Sequence, residues 1–222
     1  MFGFFTTYFD KGMFMNGSSR RAMLRAAVLS AVLSGAAPAM AAPAVGQAAP
    51  SFTAVDSKGQ QHKLADFQGK VVVLEWTNHE CPYVQKHYKS SNMQNLQKQA
   101  RQMGAVWLSV ISSAPGEQGH VDGPKADELT ASRQAGPTAV LLDPQGAIGK
   151  AYDARTTPHM YVIDAKGVLR YAGGIDSIGT AKQEDIGKAD SLFKTALESV
   201  VKGGNVAQAV TRPYGCAVKY KS

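Results

Sequence analysis

The clearest hydrophobic pattern in the chain is a run of apolar and β-branched residues at 70–77, in which polar positions do not alternate with apolar ones. Such a run is typical of a central strand whose two faces are both covered. Residues 105–111 show the same pattern and predict a second buried strand. Between them, residues 83–103 are rich in Gln, Lys and Leu and predict one helix, with Gly104 following as a stop signal.

The rest of the pattern alternates between short strands and helices. It predicts strands at residues 51–55, 60–64 and 138–142 and helices at residues 125–134 and 147–152. Residues 160–163 and 168–172 flank an Asp-Ala-Lys-Gly turn and predict a hairpin. Apolar residues at spacings of three and four predict an amphipathic helix over residues 190–202. This alternation indicates an α/β domain whose central mixed β-sheet is flanked by helices.

The N-terminal segment does not belong to this pattern. The pair Arg20 and Arg21 precedes an apolar stretch at residues 26–37, which is shorter than the roughly 20 residues of a membrane span. A small-x-small cleavage site follows at residues 39–41. Together these features predict a signal peptide over residues 1–41, and its arginine pair resembles a twin-arginine export signal. We therefore expect a bacterial periplasmic or secreted protein with no stable membrane insertion after cleavage.

The remainder of the chain is only mildly basic. The net charge falls from +7 to +4 without residues 1–41, which hold four of the basic and one of the acidic residues. The other Lys and Arg residues are scattered, whereas a nucleic-acid surface requires a basic stripe, so we expect no nucleic-acid partner. We expect the folded domain to occupy residues 42–203 and a C-terminal tail to occupy residues 204–222.

Cys81, the first of two cysteines, lies where the first buried strand passes into the long predicted helix. Pro82 is favoured in the first turn of a helix, so Cys81 is expected at the helix N-terminus, where free N–H groups and the helix dipole favour an anion. His79 and His87 would add positive charge if protonated, and Glu80 would oppose a negative sulfur. These polar neighbours favour a reactive thiol over an inert buried cysteine.

The residues around Cys81 resemble a known family. Residues 76–82 and the helix after them are similar to the thiol motif of the thioredoxin-like superfamily, and Thr157-Pro158 before the predicted hairpin resembles its cis-proline loop. Residues 46–52 and 69–74 are similar to the start of the AhpC/TSA and redoxin group. Within that group the chain looks most like the peroxiredoxin-like proteins that have a single motif cysteine.

The resemblance implies a thioredoxin-like fold, a redox-active thiol at Cys81 and a cis peptide bond at Pro158. It also implies that Thr157 offers backbone groups to a substrate strand. Three motif positions differ from the family patterns, one of them Leu74, which stands where the peroxiredoxin pattern has proline. Val84 stands where the thioredoxin pattern C-x-x-C has its second cysteine, and Asn78 stands where the peroxiredoxin pattern has threonine. Neither established mechanism therefore transfers whole.

Cys216, in the tail, is the only possible intramolecular partner of Cys81. Its Gly-Cys-Ala-Val-Lys context resembles the tail of the peroxiredoxin-like proteins. One interpretation is a reversible bond in an exported thiol-disulfide oxidoreductase, which would act on a protein disulfide or a small oxidant and would need a thiol reductant as partner. The alternative is a permanent structural disulfide in a non-catalytic binding module.

A metal carrier is the third interpretation of the sequence, and the residue spacing does not favour it. Cys81, His79 and His87 are spaced unlike the ligands of a zinc site, so we predict no metal and no cofactor. Arg155, near the expected cis-proline, is interpreted as a member of a surface ion pair. Trp76 and Trp107, in the first and second buried strands, are assigned to the core or its edge.

Overall fold

A computed structural model describes residues 43–221, so the predicted signal peptide lies outside the described residues. The strands are β1 (Thr53–Asp56), β2 (Gln61–Lys63), β3 (Val72–Trp76), β4 (Val106–Ile111), β5 (Ala139–Leu142), β6 (Thr156–Thr157), β7 (His159–Ile163), β8 (Leu169–Gly173) and β9 (Cys216–Ala217). The helices are α1 (Pro82–Lys89), α2 (Asn92–Gln102), α3 (Gly123–Ser132), α4 (Ala147–Ala151) and α5 (Leu192–Val201), with 3-10 turns at Leu64–Phe67 and Gln183–Lys188. Within the described range, no helix has the length and apolar character needed to cross a bilayer.

Seven of these strands form one mixed sheet in the order β2-β1-β5-β4-β3-β7-β8. Strands β3, β4 and β5 run parallel to one another, while β1 and β2 at one edge and β7 and β8 at the other pair antiparallel. The predicted α/β architecture with a mixed central sheet is confirmed. The predicted hairpin is also confirmed, as β7 and β8.

Both faces of β3 and β4 are covered, as their uninterrupted apolar runs predict. On one face Trp107 packs edge-on against Phe193 of α5, with ring centroids 5.4 Å apart. On the opposite face Trp76 packs against Tyr152 and Tyr161, with centroids 5.5 and 5.0 Å apart. Both tryptophans are fully buried, which confirms their assignment to the core. The C-terminal end of β3, where Cys81 follows, is therefore held between two packed layers.

The prediction of a single helix over residues 83–103 is wrong, because the chain forms two helices, α1 and α2, that are separated at Ser90 and Ser91. Ser91 has a φ of 62°, in the left-handed region. The buried residues explain the break: Tyr88 of α1 and Met93 of α2 both face the core but are five positions apart. In one straight helix they would lie about 140° apart around the axis. The left-handed residue returns the second apolar face to the core.

The tail after α5 returns to the sheet. The N–H of Thr211 donates to the carbonyl of Ala172 in β8 at 3.1 Å, and farther along β9 pairs with β6. Near the C-terminus the Tyr220 hydroxyl donates to the carbonyl of Ala154 at 2.6 Å. The tail thus runs along one edge of the sheet and past the strand–helix junction that holds Cys81.

Candidate functional site

Cys81 caps the N-terminus of α1, directly before Pro82. Asn78 shapes the loop that precedes it: its carbonyl accepts from the N–H of Cys81 at 3.1 Å, and its side-chain oxygen accepts from the N–H of Glu80 at 2.9 Å. These bonds turn the chain at the end of β3. The Cys81 side chain is 0 % exposed, which its polar sequence neighbours did not indicate.

The loop before β7 forms the opposite side of the site. The Thr157–Pro158 peptide bond is cis, which confirms the geometry implied by the family resemblance. The Cys81 thiol donates to the carbonyl oxygen of Thr157, with Sγ and O 3.1 Å apart. Thr157 is itself buried, at the end of the two-residue strand β6. The thiol therefore lies against the backbone of the cis-proline loop.

Cys216 completes the site from the tail. Strand β9 runs antiparallel to β6, with Cys216 opposite Thr157 in the register. The backbone N–H of Cys216 donates to Cys81 Sγ at 3.4 Å. Both cysteines are free thiols in this structure. The four residues singled out from the sequence, Cys81, Cys216, Thr157 and Pro158, thus lie together although they come from three separate parts of the chain.

The tail also covers Cys81. Gly215, directly before Cys216, has a φ of 138°, and a Cβ added there would collide with the carbonyl oxygen of Thr157. Glycine is therefore what allows the tail backbone to approach the cis-proline loop so closely. A molecule that is to reach the fully buried sulfur of Cys81 requires this part of the tail to move.

The Cys216 thiol is strongly influenced by its surroundings. Burial raises the pKa of Cys216 to about 12, and a hydrogen bond and negative charge at Cys81 act in the same direction. Cys216 is consequently protonated at neutral pH while Cys81 is reduced. Only a thiolate is an effective nucleophile, so Cys216 is held in its unreactive form in this state.

The two histidines near Cys81 in sequence do not supply the positive charge considered above. Burial lowers the pKa of His87 to about 4, and burial also lowers the pKa of His79 below its ordinary value. Both rings are therefore neutral at pH 7. The carboxylate of Glu80 is held by the N–H of Gly119, which donates to it at 2.6 Å. Arg155 pairs with the exposed carboxylate of Asp153 at 2.6 Å, which confirms the surface ion pair.

Sequence reasoning missed a cluster of buried polar side chains beside the tail. Lys86 and His87 of α1, Asp176 from the loop after β8, and Tyr214 of the tail contact one another. Lys86 and His87 have side chains that are 0 % exposed. The sequence carries no distinctive signal for the cluster, because its members are brought together only by the return of the tail.

Glu75 was also missed, although the sequence does mark it. It is the only charged residue between residues 71 and 76, in the apolar run that forms β3, and it is 0 % exposed. Four side chains donate hydrogen bonds to its carboxylate: Tyr88, Gln97, Trp107 and Ser109. Burial nevertheless raises the pKa of Glu75 above its ordinary value. A charged residue inside an uninterrupted apolar strand signals a buried polar network of this kind.

Among residues 43–221, no group of three or more His, Cys, Asp or Glu side chains is arranged to hold a metal ion. The reactive groups of the site are two neighbouring thiols, Cys81 and Cys216, beside the backbone of Thr157. Thiols exchange with disulfides, and two neighbouring thiols form a disulfide where their geometry allows it.

Comparison with known proteins identifies the family of the chain. The model of the AhpC/TSA family matches residues 45–172. The chain is 28 % identical over 149 residues to the thiol-disulfide oxidoreductase ResA of Geobacillus kaustophilus, an alignment that covers 64 % of this chain and 74 % of that protein. It is 26 % identical over 163 residues to ResA of Geobacillus thermodenitrificans, which covers 70 % and 78 % of the two chains.

Two solved structures share the fold at a TM-score of 0.66. One is a hypothetical protein from Sinorhizobium meliloti 1021, 20 % identical, with 82 % of this chain and 97 % of that chain aligned. The other is an uncharacterized conserved protein from Geobacillus kaustophilus, 22 % identical, with 80 % and 93 % aligned. Together with the mixed sheet and the cis-proline loop, these comparisons establish a thioredoxin-like fold.

Proposed function

The chain belongs to the AhpC/TSA family, and we propose that it works there as an exported thiol-disulfide oxidoreductase whose redox pair is Cys81 and Cys216. The observation that carries the proposal is the 3.4 Å contact between the backbone N–H of Cys216 and Cys81 Sγ. The curated relatives, which are thiol-disulfide oxidoreductases, support the same class of reaction. Cys216 supplies the second thiol, which Val84 at the second cysteine position of the C-x-x-C pattern lacks.

The reaction proceeds by two exchanges. The thiolate of Cys81 attacks one sulfur of a disulfide, forms a mixed disulfide and releases the other sulfur as a thiolate. Cys216 then loses its proton and attacks Cys81 Sγ, which forms the Cys81–Cys216 disulfide and releases the second thiolate. The substrate disulfide gains two electrons and the protein loses two. A thiol reductant restores the two cysteines by the reverse exchanges.

The raised pKa of Cys216 supports this order of events. Two of its causes, the hydrogen bond and the negative charge, depend on a reduced Cys81. When Cys81 enters a mixed disulfide, it is no longer able to carry a charge, so that contribution to the pKa of Cys216 is lost and burial, the largest cause, remains. Cys216 therefore becomes a better nucleophile once Cys81 has reacted.

An exported location suits a dithiol that cycles with disulfides. The signal peptide predicted over residues 1–41 would deliver the mature chain to an oxidising compartment, where disulfides form and persist. Residues 43–221 then make up the working domain, and Thr157 beside Pro158 binds the backbone of an incoming polypeptide once the tail has moved.

The proposal is tested by equilibrating the mature protein with mixtures of reduced and oxidised glutathione and counting its thiols. The wild type is expected to change between two thiols and one intramolecular disulfide, identified by peptide mass spectrometry. Cys216→Ser is expected to form a mixed disulfide between Cys81 and glutathione, and Cys81→Ser is expected to lose the reduction of an external disulfide such as that of insulin.

Two results would contradict the proposal. A Cys81–Cys216 bond that resists reduction throughout the glutathione range would make the protein a binding module with a structural disulfide. A Cys81 thiol that fails to react in the reduced protein would exclude catalysis by that residue. Hydrogen peroxide consumption, measured in parallel, separates peroxide reduction from disulfide exchange.

A further inference from the structure

The cluster of Lys86, His87, Asp176 and Tyr214 joins three separate segments of the fold. Lys86 and His87 lie on α1, the helix that Cys81 caps; Asp176 lies after β8; and Tyr214 lies in the tail two residues before Cys216. Lys86 Nζ donates to the carbonyl of Ile178 at 3.1 Å and lies 3.5 Å from Asp176 Oδ2. The lysine and aspartate side chains are 0 % and 7 % exposed, so the ion pair is buried.

The hydroxyl group of Tyr214 is the centre of the cluster. It donates to Asp176 Oδ1 at 2.6 Å, and Lys86 Nζ lies 3.5 Å from it. His87 Nε2 lies 3.1 Å from the same oxygen, and His87 Nδ1 lies 2.8 Å from the side-chain nitrogen of Asn92. Because the Asn92 amide donates to Nδ1, the neutral ring carries its proton on Nε2 and donates it to Tyr214. One hydroxyl group thus serves three buried partners.

Such a cluster is a poor way to gain stability alone. Removing a lysine and an aspartate from water carries a desolvation penalty that an ion pair offsets only in part, and apolar side chains of similar volume stabilise a core at least as well. Buried polar groups are better suited to fixing one arrangement among several, because any other arrangement leaves a charge unpaired. Here the arrangement that is fixed is the position of the tail on α1.

We propose that Lys86, Asp176 and Tyr214 form a buried anchor that holds Cys216 opposite Thr157 and so within reach of Cys81. Tyr214 is a positioning residue: its hydroxyl bonds to Lys86, His87 and Asp176 rather than to either sulfur, and it acts through Gly215, the one residue that separates it from Cys216. Two extended residues span only about 7 Å, so a displaced tyrosine displaces the cysteine with it. The inference rests on the proposed redox pair. It adds that the buried anchor determines how readily Cys81 and Cys216 form their disulfide.

The test removes the hydroxyl group alone. Tyr214→Phe keeps the ring, which packs against Tyr83 with centroids 5.9 Å apart. It removes the hydroxyl group that Lys86, His87 and Asp176 contact. The matched control is Tyr152→Phe, because the Tyr152 hydroxyl also makes a partly buried hydrogen bond, to the carbonyl of Pro50 at 2.7 Å, on the other face of the sheet. Thermal unfolding of both variants measures what each loses in stability.

Two readouts separate positioning from stability. In the first, the protein is equilibrated with reduced and oxidised glutathione, and the equilibrium constant for the Cys81–Cys216 disulfide is measured. In this reaction two protein thiols give two electrons and two protons to one glutathione disulfide, which becomes two glutathione thiols. Tyr214→Phe is expected to lower this constant by about tenfold, the effect of losing a hydrogen bond to a charged group. Tyr152→Phe is expected to leave it unchanged.

In the second readout, Cys81 is alkylated with iodoacetamide in a Cys216→Ser background. Tyr214→Phe is expected to accelerate the alkylation of Cys81 by about tenfold, because a looser tail uncovers a sulfur that is otherwise fully buried. Equal effects of the two tyrosine variants, or no effect of Tyr214→Phe on either readout, would overturn the anchor. A wild type that forms no reversible disulfide would instead overturn the redox pair, so the two failures are distinguishable.

Discussion

The protonation of Cys216 depends directly on the residue across the site. Its pKa of about 12 is raised by burial and by the hydrogen bond and charge at Cys81. A raised pKa means that the thiolate fraction at neutral pH is small and increases about tenfold with each unit of rising pH. We therefore expect the reactivity of Cys216 to depend on the state of Cys81.

Replacing Cys81 by serine removes the two causes that Cys81 supplies and is expected to lower the pKa of Cys216, which leaves burial and the opposing charge of Lys219. The initial rate of Cys216 alkylation, followed by peptide mass spectrometry across pH 7 to 11, is expected to rise at lower pH in Cys81→Ser than in the wild type. Identical pH profiles would show that Cys81 does not influence the second thiol.

At this scale the sequence predicted those site residues that carry a local signal. Cys81 follows a strand and precedes a proline, and Thr157-Pro158 precedes a hairpin, so both were recognisable without the structure. Tyr214 and Lys86 carry no such signal, because their partners lie about 40 to 130 positions away in the chain. The neutral state of His87 could not be predicted either, since it results from burial by a segment distant in sequence.

Among the elements, the pairing of β6 with β9 is the smallest and the most consequential for the site. Each strand has two residues, and the close approach of Gly215 to Thr157 permits the pairing. A side chain at residue 215 would have to push the tail away from the cis-proline loop, because its neighbour there is backbone rather than a flexible side chain.

Gly215→Ala is accordingly expected to lower the equilibrium constant for the Cys81–Cys216 disulfide by about 5- to 150-fold, the range that corresponds to backbone strain of about 1–3 kcal/mol. Glutathione equilibration measures the constant. The control is Gly203→Ala, which also has a positive φ, of 71°, but has open space where the Cβ would lie. This control should lose some stability and keep the wild-type constant; equal constants in the two variants would contradict the role assigned to Gly215.

Elements with a long, regular pattern were the ones the sequence predicted well. Strands β3 and β4 followed from uninterrupted apolar runs, and α5 followed from its amphipathic spacing. The break between α1 and α2 was not predicted, because neither glycine nor proline marks Ser90 and Ser91. Strands β6 and β9 are too short to have a period, so only the folded chain reveals them.

For the molecule as a whole, α/β class and a mixed sheet followed from the order of strands and helices, but the course of the tail did not. Residues 204–221 contain no helix and only a two-residue strand, so hydrophobic periodicity says nothing about where they pack. Their position is determined by single contacts, such as those of Thr211 and Tyr220.

The export proposal also belongs to the whole chain. Protein recovered from the periplasm of a bacterial host is expected to begin at residue 42, and N-terminal sequencing measures this directly. Replacing Arg20 and Arg21 by lysine is expected to reduce export if the twin-arginine route is used. Recovery of the uncleaved chain in the cytoplasm alone would contradict the assignment of a signal peptide.

The outer edge of β8 shows a second consequence of the returning tail. Near its start, Leu169 exchanges backbone hydrogen bonds with Gly46 and Gln47, and near its end Ala172 does so with Ala209 and Thr211. An unpaired strand edge is a template on which another chain is able to add a strand and begin an aggregate. The segment that delivers the second thiol is thus also part of the molecule's protection against self-association. Any cleavage or mutation that frees the tail exposes the unpaired edge of β8 together with the sulfur of Cys81.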